Sequence, residues 1–287
     1  MKKKFMWFMV ALIIVGAIVY YLRPTEYTVT QYASESGNQS LIYSITDNKG
    51  HLVLVDGGWE QDAEQVKKII NANGGKVEAW ILTHPHEDHI WAFNTIMRDS
   101  DIKVGKIYVS DFNYDAYKSQ AADWDAFWIY EDFLAVTSKM DNICELKAGD
   151  EVAVIGLDMK IYNSYSNKIE GTDAANDGSL MFELSGKEES ILFCGDVGKS
   201  MSDTLISQWG EELKADYIQM GHHGNGGLSE TFYRMVQPKA AFFDTPDWLM
   251  YPEEGSSYTT PINREIMESM GCKIYSYDTA PNIVEFK

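Results

Sequence analysis

The stretch that decides the fold is Thr83-His84-Pro85-His86-Glu87-Asp88-His89-Ile90, in which three histidines and an aspartate fall within six residues. The run before it, 77–82, is apolar and predicts a strand, whereas Ile90, Phe93 and Met97 have the spacing of one helix face. The cluster therefore lies on a loop where a strand ends and a helix begins. Imidazole and carboxylate are good ligands of zinc and similar divalent ions, so we favour a metal-binding loop over a solvated polar one.

Residues 1–24 differ in composition from the rest of the chain. Three lysines, 2–4, precede an apolar run, 5–22, and Arg23-Pro24 follows it. Eighteen apolar residues form about 27 Å of helix at ~1.5 Å each, enough to cross a bilayer core. We predict one N-terminal transmembrane helix; the alternative is a cleaved signal peptide, although no clear cleavage site follows. The positive-inside rule then places residues 27–287 outside the cytoplasm, at the cell membrane or, after cleavage, secreted.

The chain beyond residue 24 is strongly acidic. It holds all 43 acidic side chains and all but four of the 24 basic ones, so it is more negative than the net −19 of the whole chain. Such a surface repels polyanions, so we do not expect general nucleic-acid binding. The cysteines, Cys144, Cys194 and Cys272, are too few and too scattered for a disulfide framework. A chain of this length can bury one large α/β core.

Three other apolar runs end in polar residues that could carry chemistry. The first ends in Asp56-Gly57-Gly58, the second in Gly195-Asp196, and the third, 216–220, leads into Gly221-His222-His223-Gly224. Each would place a carboxylate or imidazoles at the edge of a sheet, with glycines that let the backbone turn closely. The lone His51, at the start of a strand, is interpreted as structural or solvated.

The segment 111–134 is dense in aromatic and acidic side chains. Trp124, Phe127 and Trp128 have helical spacing, which predicts packing in the core. Aromatic faces beside carboxylates can also form a cage for a quaternary ammonium group. We therefore keep Trp124 and Trp128 as candidate substrate contacts.

The pattern His-x-His-x-Asp-His resembles the signature of the metallo-β-lactamase superfamily, and the resemblance covers residues 27–287. It implies an α/β fold, the four-layer αββα sandwich, and a site with two divalent ions, zinc as first choice and manganese or iron as alternatives. One ion would be held by His84 and His86. The other ion would be held by Asp88, His89 and His222. Asp196 would lie between the two ions.

The same resemblance implies supporting and catalytic roles. Asp56 would support the metal loop from behind. A water that bridges the two ions would become the nucleophile, with Asp88 orienting it. Of the adjacent histidines, we take His222 as the ligand and His223 as the catalytic residue that faces the substrate, as an acid or as a donor to a developing oxyanion.

One stretch departs from the superfamily pattern. Where a further histidine is usual, residues 172–180 contain none, so Asn176 and Asp177 are candidate substitute ligands. Oxygen ligation there would make manganese or iron more competitive with zinc. The sequence Asn-Asp-x-Ser-Leu, then Cys-Gly-Asp and His-His-Gly, is similar to the hydrolase domain attached to DNA-uptake competence channels. The region around Trp248 looks like surface phosphorylcholine esterases.

Both of these groups are extracytoplasmic phosphodiesterases. The resemblance therefore implies a metal-dependent phosphodiesterase that acts on a small-molecule or cell-envelope phosphodiester. An ester, thioester or β-lactam hydrolase with the same metal site is the alternative enzyme. A membrane-tethered binding module with a degenerate site is the alternative of another class, and the full set of histidines and aspartates argues against it.

Overall fold

The structure is a computed structural model that describes residues 24–122, 125–166, 169, 173–277 and 280–286, together with 6, 7, 9 and 10. The predicted anchor, residues 1–24, lies almost wholly outside the described residues, and so does Trp124. Within the described part of the chain, no helix combines the length and apolarity that a membrane span requires.

Two sheets of seven strands form the centre of the described chain. The strands of the first sheet are β1 Tyr27–Gln31, β2 Tyr43–Asp47, β3 Leu52–Val55, β4 Lys76–Leu82, β5 Lys103–Ser110, β6 Ile143–Leu146 and β14 Asn282–Phe286. Those of the second sheet are β7 Glu151–Val154, β8 Leu157–Asn163, β9 Met181–Ser185, β10 Ser190–Phe193, β11 Tyr217–Gln219, β12 Ala240–Phe242 and β13 Lys273–Tyr275.

Each sheet has an antiparallel half and a parallel half. The first sheet runs in the order β14-β1-β2-β3-β4-β5-β6, and β3 to β6 are parallel. The second runs in the order β13-β12-β11-β10-β9-β8-β7, and β10 to β13 are parallel. The loops that follow parallel strands gather at one edge of a sheet. The polar residues after β3, β4, β10 and β11 are all in such loops.

Helices connect the parallel strands, and one short helix, Ala174–Asp177, lies between the antiparallel strands β8 and β9. They are α1 Ala63–Ala72, α2 Glu87–Asp99, α3 Tyr114–Gln120, α4 Trp128–Thr137, α5 Ala174–Asp177, α6 Ser202–Trp209, α7 Glu230–Val236, α8 Asp247–Met250 and α9 Thr260–Ser269. Short 3-10 turns lie at Glu60–Asp62, Lys199–Met201, Gly210–Leu213 and Gly221–Gly224. The helix expected after the histidine loop is confirmed as α2, whose Ile90 and Phe93 are buried.

Apolar side chains form three layers of packing. Between the sheets, Tyr43 packs edge-on against Phe193 and Phe242 of the second sheet. On the outer face of the first sheet, side chains of α1, α2 and α4 pack together with Trp80. On the outer face of the second sheet, side chains of α6, α7 and α9 do the same with Ile218. The expected four-layer αββα arrangement is therefore confirmed.

Candidate metal centre

The turn after β3 supports the histidine loop. Asp56 is fully buried and lies in the left-handed backbone region, with φ 49°. Its Oδ1 accepts the Thr83 N–H at 2.7 Å, and its Oδ2 accepts the Thr83 hydroxyl at 2.6 Å. His89 Nδ1 lies 2.6 Å from the same Oδ2. Burial raises the pKa of Asp56 despite these bonds. The geometry matches the supporting role that the resemblance implied.

These bonds decide which ring nitrogens are open to a ligand. Thr83 gives its single hydroxyl proton to Asp56, so its oxygen accepts from His84 Nδ1, 3.2 Å away. His89 likewise donates from Nδ1 to Asp56. Burial and the neighbouring imidazoles hold the pKa of His84 well below its ordinary value, so this ring is neutral. Nε2 of His84 and Nε2 of His89 are therefore available as metal-ligand atoms.

The loop after β10 brings a carboxylate from the second sheet. Gly195 has φ 52°, and a Cβ there would lie 2.8 Å from the Ser179 Cβ, so only glycine fits. The Asp196 N–H donates to the Ser179 hydroxyl at 3.1 Å. The neighbouring Leu180 N–H donates to the Thr83 carbonyl at 2.8 Å. Asp196 is thereby fixed against the histidine loop of the first sheet.

Asp196 lies between the histidines of both sheets. Its Oδ1 is 3.3 Å from His89 Nε2, and its Oδ2 is 3.2 Å from His223 Nε2 and 4.0 Å from His84 Nε2. Burial alone would raise its pKa, but His223 and His89 outweigh it and hold the pKa of Asp196 well below the usual range. The carboxylate is therefore ionised and shared by several imidazoles.

The two adjacent histidines point to different places. His223 Nε2 lies 3.1 Å from Asp88 Oδ2, and the His223 side chain is 2% exposed. His222 Nε2 is 3.8 Å from Asp196 Oδ2, and that side chain is 37% exposed. Both residues have positive φ, 50° and 56°, so the backbone turns sharply and directs consecutive rings apart. The structure places His223 in the buried cluster and His222 on the open side, which favours the reverse of the expected order.

The buried side chains fit a divalent metal site. Two groups, His84-His89-Asp196 and Asp88-His89-His223, each offer ligand atoms within 4.8 Å of one another. Among the described residues, His89 Nε2, Asp196 Oδ1 and His223 Nε2 are buried without a hydrogen bond of acceptable geometry. Unsatisfied buried polar atoms are costly, and neutral imidazole with carboxylate is a donor set that zinc prefers.

An open cavity of about 490 Å³ leads to these side chains. Its described lining carries five carboxylates and neither lysine nor arginine. The lining residues are Gln39, Trp59, His86, Glu87, Asp88, Asp125, Asp173, Asn176, Asp196 and His222. Trp59 and Asp173 were not candidates from the sequence, because no motif spacing marks them, and Asp125 was noted only among the acidic side chains of the segment 111–134.

The two candidate substitute ligands have different environments. Asn176 lines the cavity, and its buried Oδ1 makes no hydrogen bond within the described chain. Asp177 instead accepts the Gly198 N–H at 3.0 Å and the Ser200 hydroxyl at 2.5 Å. Both of its oxygens are occupied in holding the loop after Asp196. These bonds give Asp177 a structural role in the loop, and Asn176, which lines the cavity, is the better placed of the two candidate ligands.

The candidate substrate contact Trp128 lies away from the cavity lining. It begins α4, is 49% exposed, and packs edge-on against Trp91 at 5.0 Å between ring centroids. The structure therefore places the ring against α2 and not in the described lining of the cavity, so its role as a substrate contact stays a prediction. The lone His51 bonds through Nδ1 to Asp47 at 2.7 Å, which confirms its structural role.

Comparisons with known proteins agree with this architecture. Residues 36–131 match the family model of the metallo-beta-lactamase superfamily. The metallo-beta-lactamase fold protein YhfI from Bacillus subtilis has a TM-score of 0.57 at 10% identity, over 91% of this chain and 99% of its own. A diphosphatase of the PhnP family has 0.51 at 11% identity, over 92% and 98%. No curated protein matches the sequence.

A further solved structure shares the fold over only part of its length. It is CmlA, a diiron β-hydroxylase from Streptomyces venezuelae, with a TM-score of 0.53 at 11% identity. The alignment covers 92% of this chain but 55% of CmlA. At such low identity these structures establish the shared fold and leave the identity of the metal open.

Proposed function

Residues 36–131 match the model of the metallo-beta-lactamase superfamily, and on that premise we propose that this chain is a phosphodiesterase with two divalent ions. The family match and the two clusters of histidine and aspartate support a metal-dependent hydrolase. We propose that the bond it cleaves is a phosphodiester and that zinc is the first-choice ion.

The observation that carries the proposal is the position of Asp196 between two groups of ligand atoms. His84 and His86 would hold one ion, Asp88, His89 and His223 the other, with Asp196 shared. Two such ions supply an activated water and neutralise the oxygens of an in-line displacement at phosphorus. The fixed contacts of Asp56 keep His89 in the tautomer that this arrangement requires.

The charge of the cavity favours a diester over a monoester. A phosphate monoester carries a charge of about −1.5 to −2 at neutral pH, whereas a diester carries one negative charge. The cavity presents Glu87, Asp125 and Asp173 in addition to the carboxylates of the ligand cluster, and the described lining offers no lysine or arginine. Each further negative charge on the substrate therefore costs binding energy that the ions must offset.

His222 is placed to serve the leaving group. It lines the cavity, is partly exposed, and is held by its backbone N–H, which donates to the Gly195 carbonyl at 3.1 Å. We assign it the role of proton donor to the departing oxygen. General acids of this kind raise the rate of the reaction by about 10²–10⁴-fold. Asp88, whose Oδ2 lies 3.1 Å from His223 Nε2, would orient the attacking water.

A substrate panel tests the proposal. The full-length chain, loaded with zinc or with manganese, is assayed with bis-p-nitrophenyl phosphate, p-nitrophenyl phosphate, p-nitrophenylphosphorylcholine, an acyl thioester and nitrocefin. We expect turnover of the diesters, well above that of the monoester. Faster turnover of the thioester or of nitrocefin would support the alternative hydrolase. Bound metal without turnover of any substrate would support the binding module.

We further propose that the domain acts outside the cytoplasm, held at the membrane by residues 1–24. The lysines before the apolar run and its length support this location. Fractionation of cells, followed by mass measurement of the intact chain, tests it. Recovery of the full-length chain in the membrane fraction is expected, and a shortened chain in the medium would support signal cleavage instead.

A further inference from the structure

Asp125 reaches the metal centre from a segment that no motif marks. It lies between α3 and α4, and its side chain is only 2% exposed. The Tyr117 hydroxyl donates to Asp125 Oδ1 at 2.7 Å. The same Oδ1 lies 3.4 Å from Nε2 of His86. A buried carboxylate thus lies between a tyrosine of α3 and a histidine of the ligand loop.

The two nitrogens of His86 face different partners. Nδ1 lies 3.0 Å from His84 Nε2, the atom of His84 that is open to an ion. Zinc–nitrogen bonds of about 2.0–2.1 Å in a tetrahedral arrangement place two donors roughly 3.3 Å apart. Nδ1 is therefore the nitrogen of His86 that is in position to share an ion with His84. Nε2 then has to carry the ring proton, and it faces Asp125.

We propose that Asp125 is a positioning residue that holds His86 in the Nε2-protonated tautomer, so that Nδ1 can bind the first ion. This rests on the metal centre of the proposed function. A carboxylate on the far nitrogen of a metal-binding imidazole fixes the ring and makes it a better donor. Tyr117 holds the carboxylate in turn. The first ion lacks the usual third histidine, so the donor strength of His86 has more effect there.

A second pair in the same site shows the arrangement that we infer. Asp56 Oδ2 lies 2.6 Å from His89 Nδ1 and leaves Nε2 toward the ligand cluster. Asp125 does the same for His86 with the nitrogens exchanged, at the longer distance of 3.4 Å. Hydrogen bonds in such sites are often long before the ligand binds and then shorten. His86 and His89 thus have carboxylate partners from different parts of the chain, Asp125 and Asp56.

Metal binding and ring tautomers test this inference without any substrate. Cobalt(II) is titrated into the full-length chain, with its visible absorption and competition against a chelating dye giving the affinity of each equivalent. For Asp125→Ala we expect the weaker of the two sites to lose about 10–100-fold in affinity and the other to stay unchanged. Tyr117→Phe should lose less. Asp115→Asn, an exposed carboxylate of α3, is the matched control and should lose nothing.

NMR of the zinc-loaded protein with isotope-labelled histidines reports the tautomer of each ring, which loss of packing alone would not change. We expect one histidine, His86, to bind through Nδ1 and to show a hydrogen-bonded Nε2 proton, which Asp125→Ala abolishes and Asp125→Glu restores in part. Should Asp125→Ala not fold, Asp125→Asn and Tyr117→Phe carry the same measurement. Unchanged affinities and an unchanged His86 signal would overturn the inference. Lack of diester turnover by the wild-type chain would instead overturn the proposed function.

Discussion

His86 directly precedes α2 and His89 lies in its first turn, yet their carboxylate partners come from different parts of the molecule. Asp56 sits at the end of β3, fully buried, and bonds to Thr83 and His89 at once. Asp125 sits in the connection between α3 and α4, at the wall of the open cavity. His89 is therefore supported by a residue next to a strand of the first sheet, and His86 by a residue of the connection between α3 and α4. We expect the first support to govern stability and the second to govern metal affinity and selectivity.

The largest effects are expected at the adjacent histidines of the second sheet. His223→Ala removes a ligand that the ion beside His89 shares, so one equivalent of metal and nearly all turnover should be lost. His222→Ala should keep both equivalents and lose about 10²–10⁴-fold in kcat, because it removes only the proton donor. Metal analysis and kinetics on both variants check this. Loss of metal from His222→Ala with retention in His223→Ala would restore the order that the sequence suggested.

The two supporting carboxylates should differ in their effect on stability. Asp56→Ala leaves two donors of Thr83 and one of His89 without a partner in a buried place, so the free energy of unfolding should fall by about 3 kcal/mol or more. Asp125→Ala should cost about 1 kcal/mol, because only the Tyr117 hydroxyl loses a hydrogen bond of ordinary length. Denaturant unfolding of both variants measures this, with Asp115→Asn as control. Equal losses would contradict the distinction between them.

A smaller effect is expected from the cavity wall beside His86. Glu87 lines the cavity, and its burial raises its pKa. Glu87→Gln removes one negative charge near the substrate, so kcat/KM for a phosphate monoester should rise about 2–5-fold relative to a diester. Steady-state kinetics with p-nitrophenyl phosphate and its diester measure the ratio. A fall of that ratio would contradict the argument that charge selects the diester.

The smallest effect is expected at Trp128, on the segment that carries Asp125. Its ring packs on Trp91 and lies outside the cavity lining. Trp128→Ala should leave KM for p-nitrophenylphosphorylcholine unchanged within about twofold and cost about 1 kcal/mol of stability at most, because the ring is half exposed. A severalfold rise in KM would support the hypothesis that Trp128 belongs to an aromatic cage for the substrate.

The parts of the site that follow parallel strands could be predicted from the sequence. An apolar run that ends in Gly195-Asp196, or in the histidine loop, is a local pattern, and the layered fold brings such strand ends together. The order of His222 and His223 could not be predicted, because it depends on two left-handed backbone conformations that no residue type marks. The hydrogen bonds of Asp177 could not be predicted, because its partners Gly198 and Ser200 belong to a distant loop.

The segment between β5 and β6 was the least predictable part of the fold. Its aromatic side chains indicated packing, and Phe127 and Tyr130 do pack against the helices of the first sheet. Asp125 differs from the other acidic residues of this stretch only in what the folded chain places beside it. The edge strands β6 and β7 were missed as well, because their side chains alternate weakly between buried and exposed.

Anomalous diffraction at the zinc edge, from crystals of the full-length chain grown with zinc, tests the central claim most directly. Two peaks about 3.5–4 Å apart are predicted on either side of the Asp196 carboxylate. One should be bound by His84 Nε2 and His86 Nδ1, and the other by Asp88, His89 and His223. A single peak, or peaks away from Asp196, would contradict the shared-carboxylate centre from which the proposed chemistry follows.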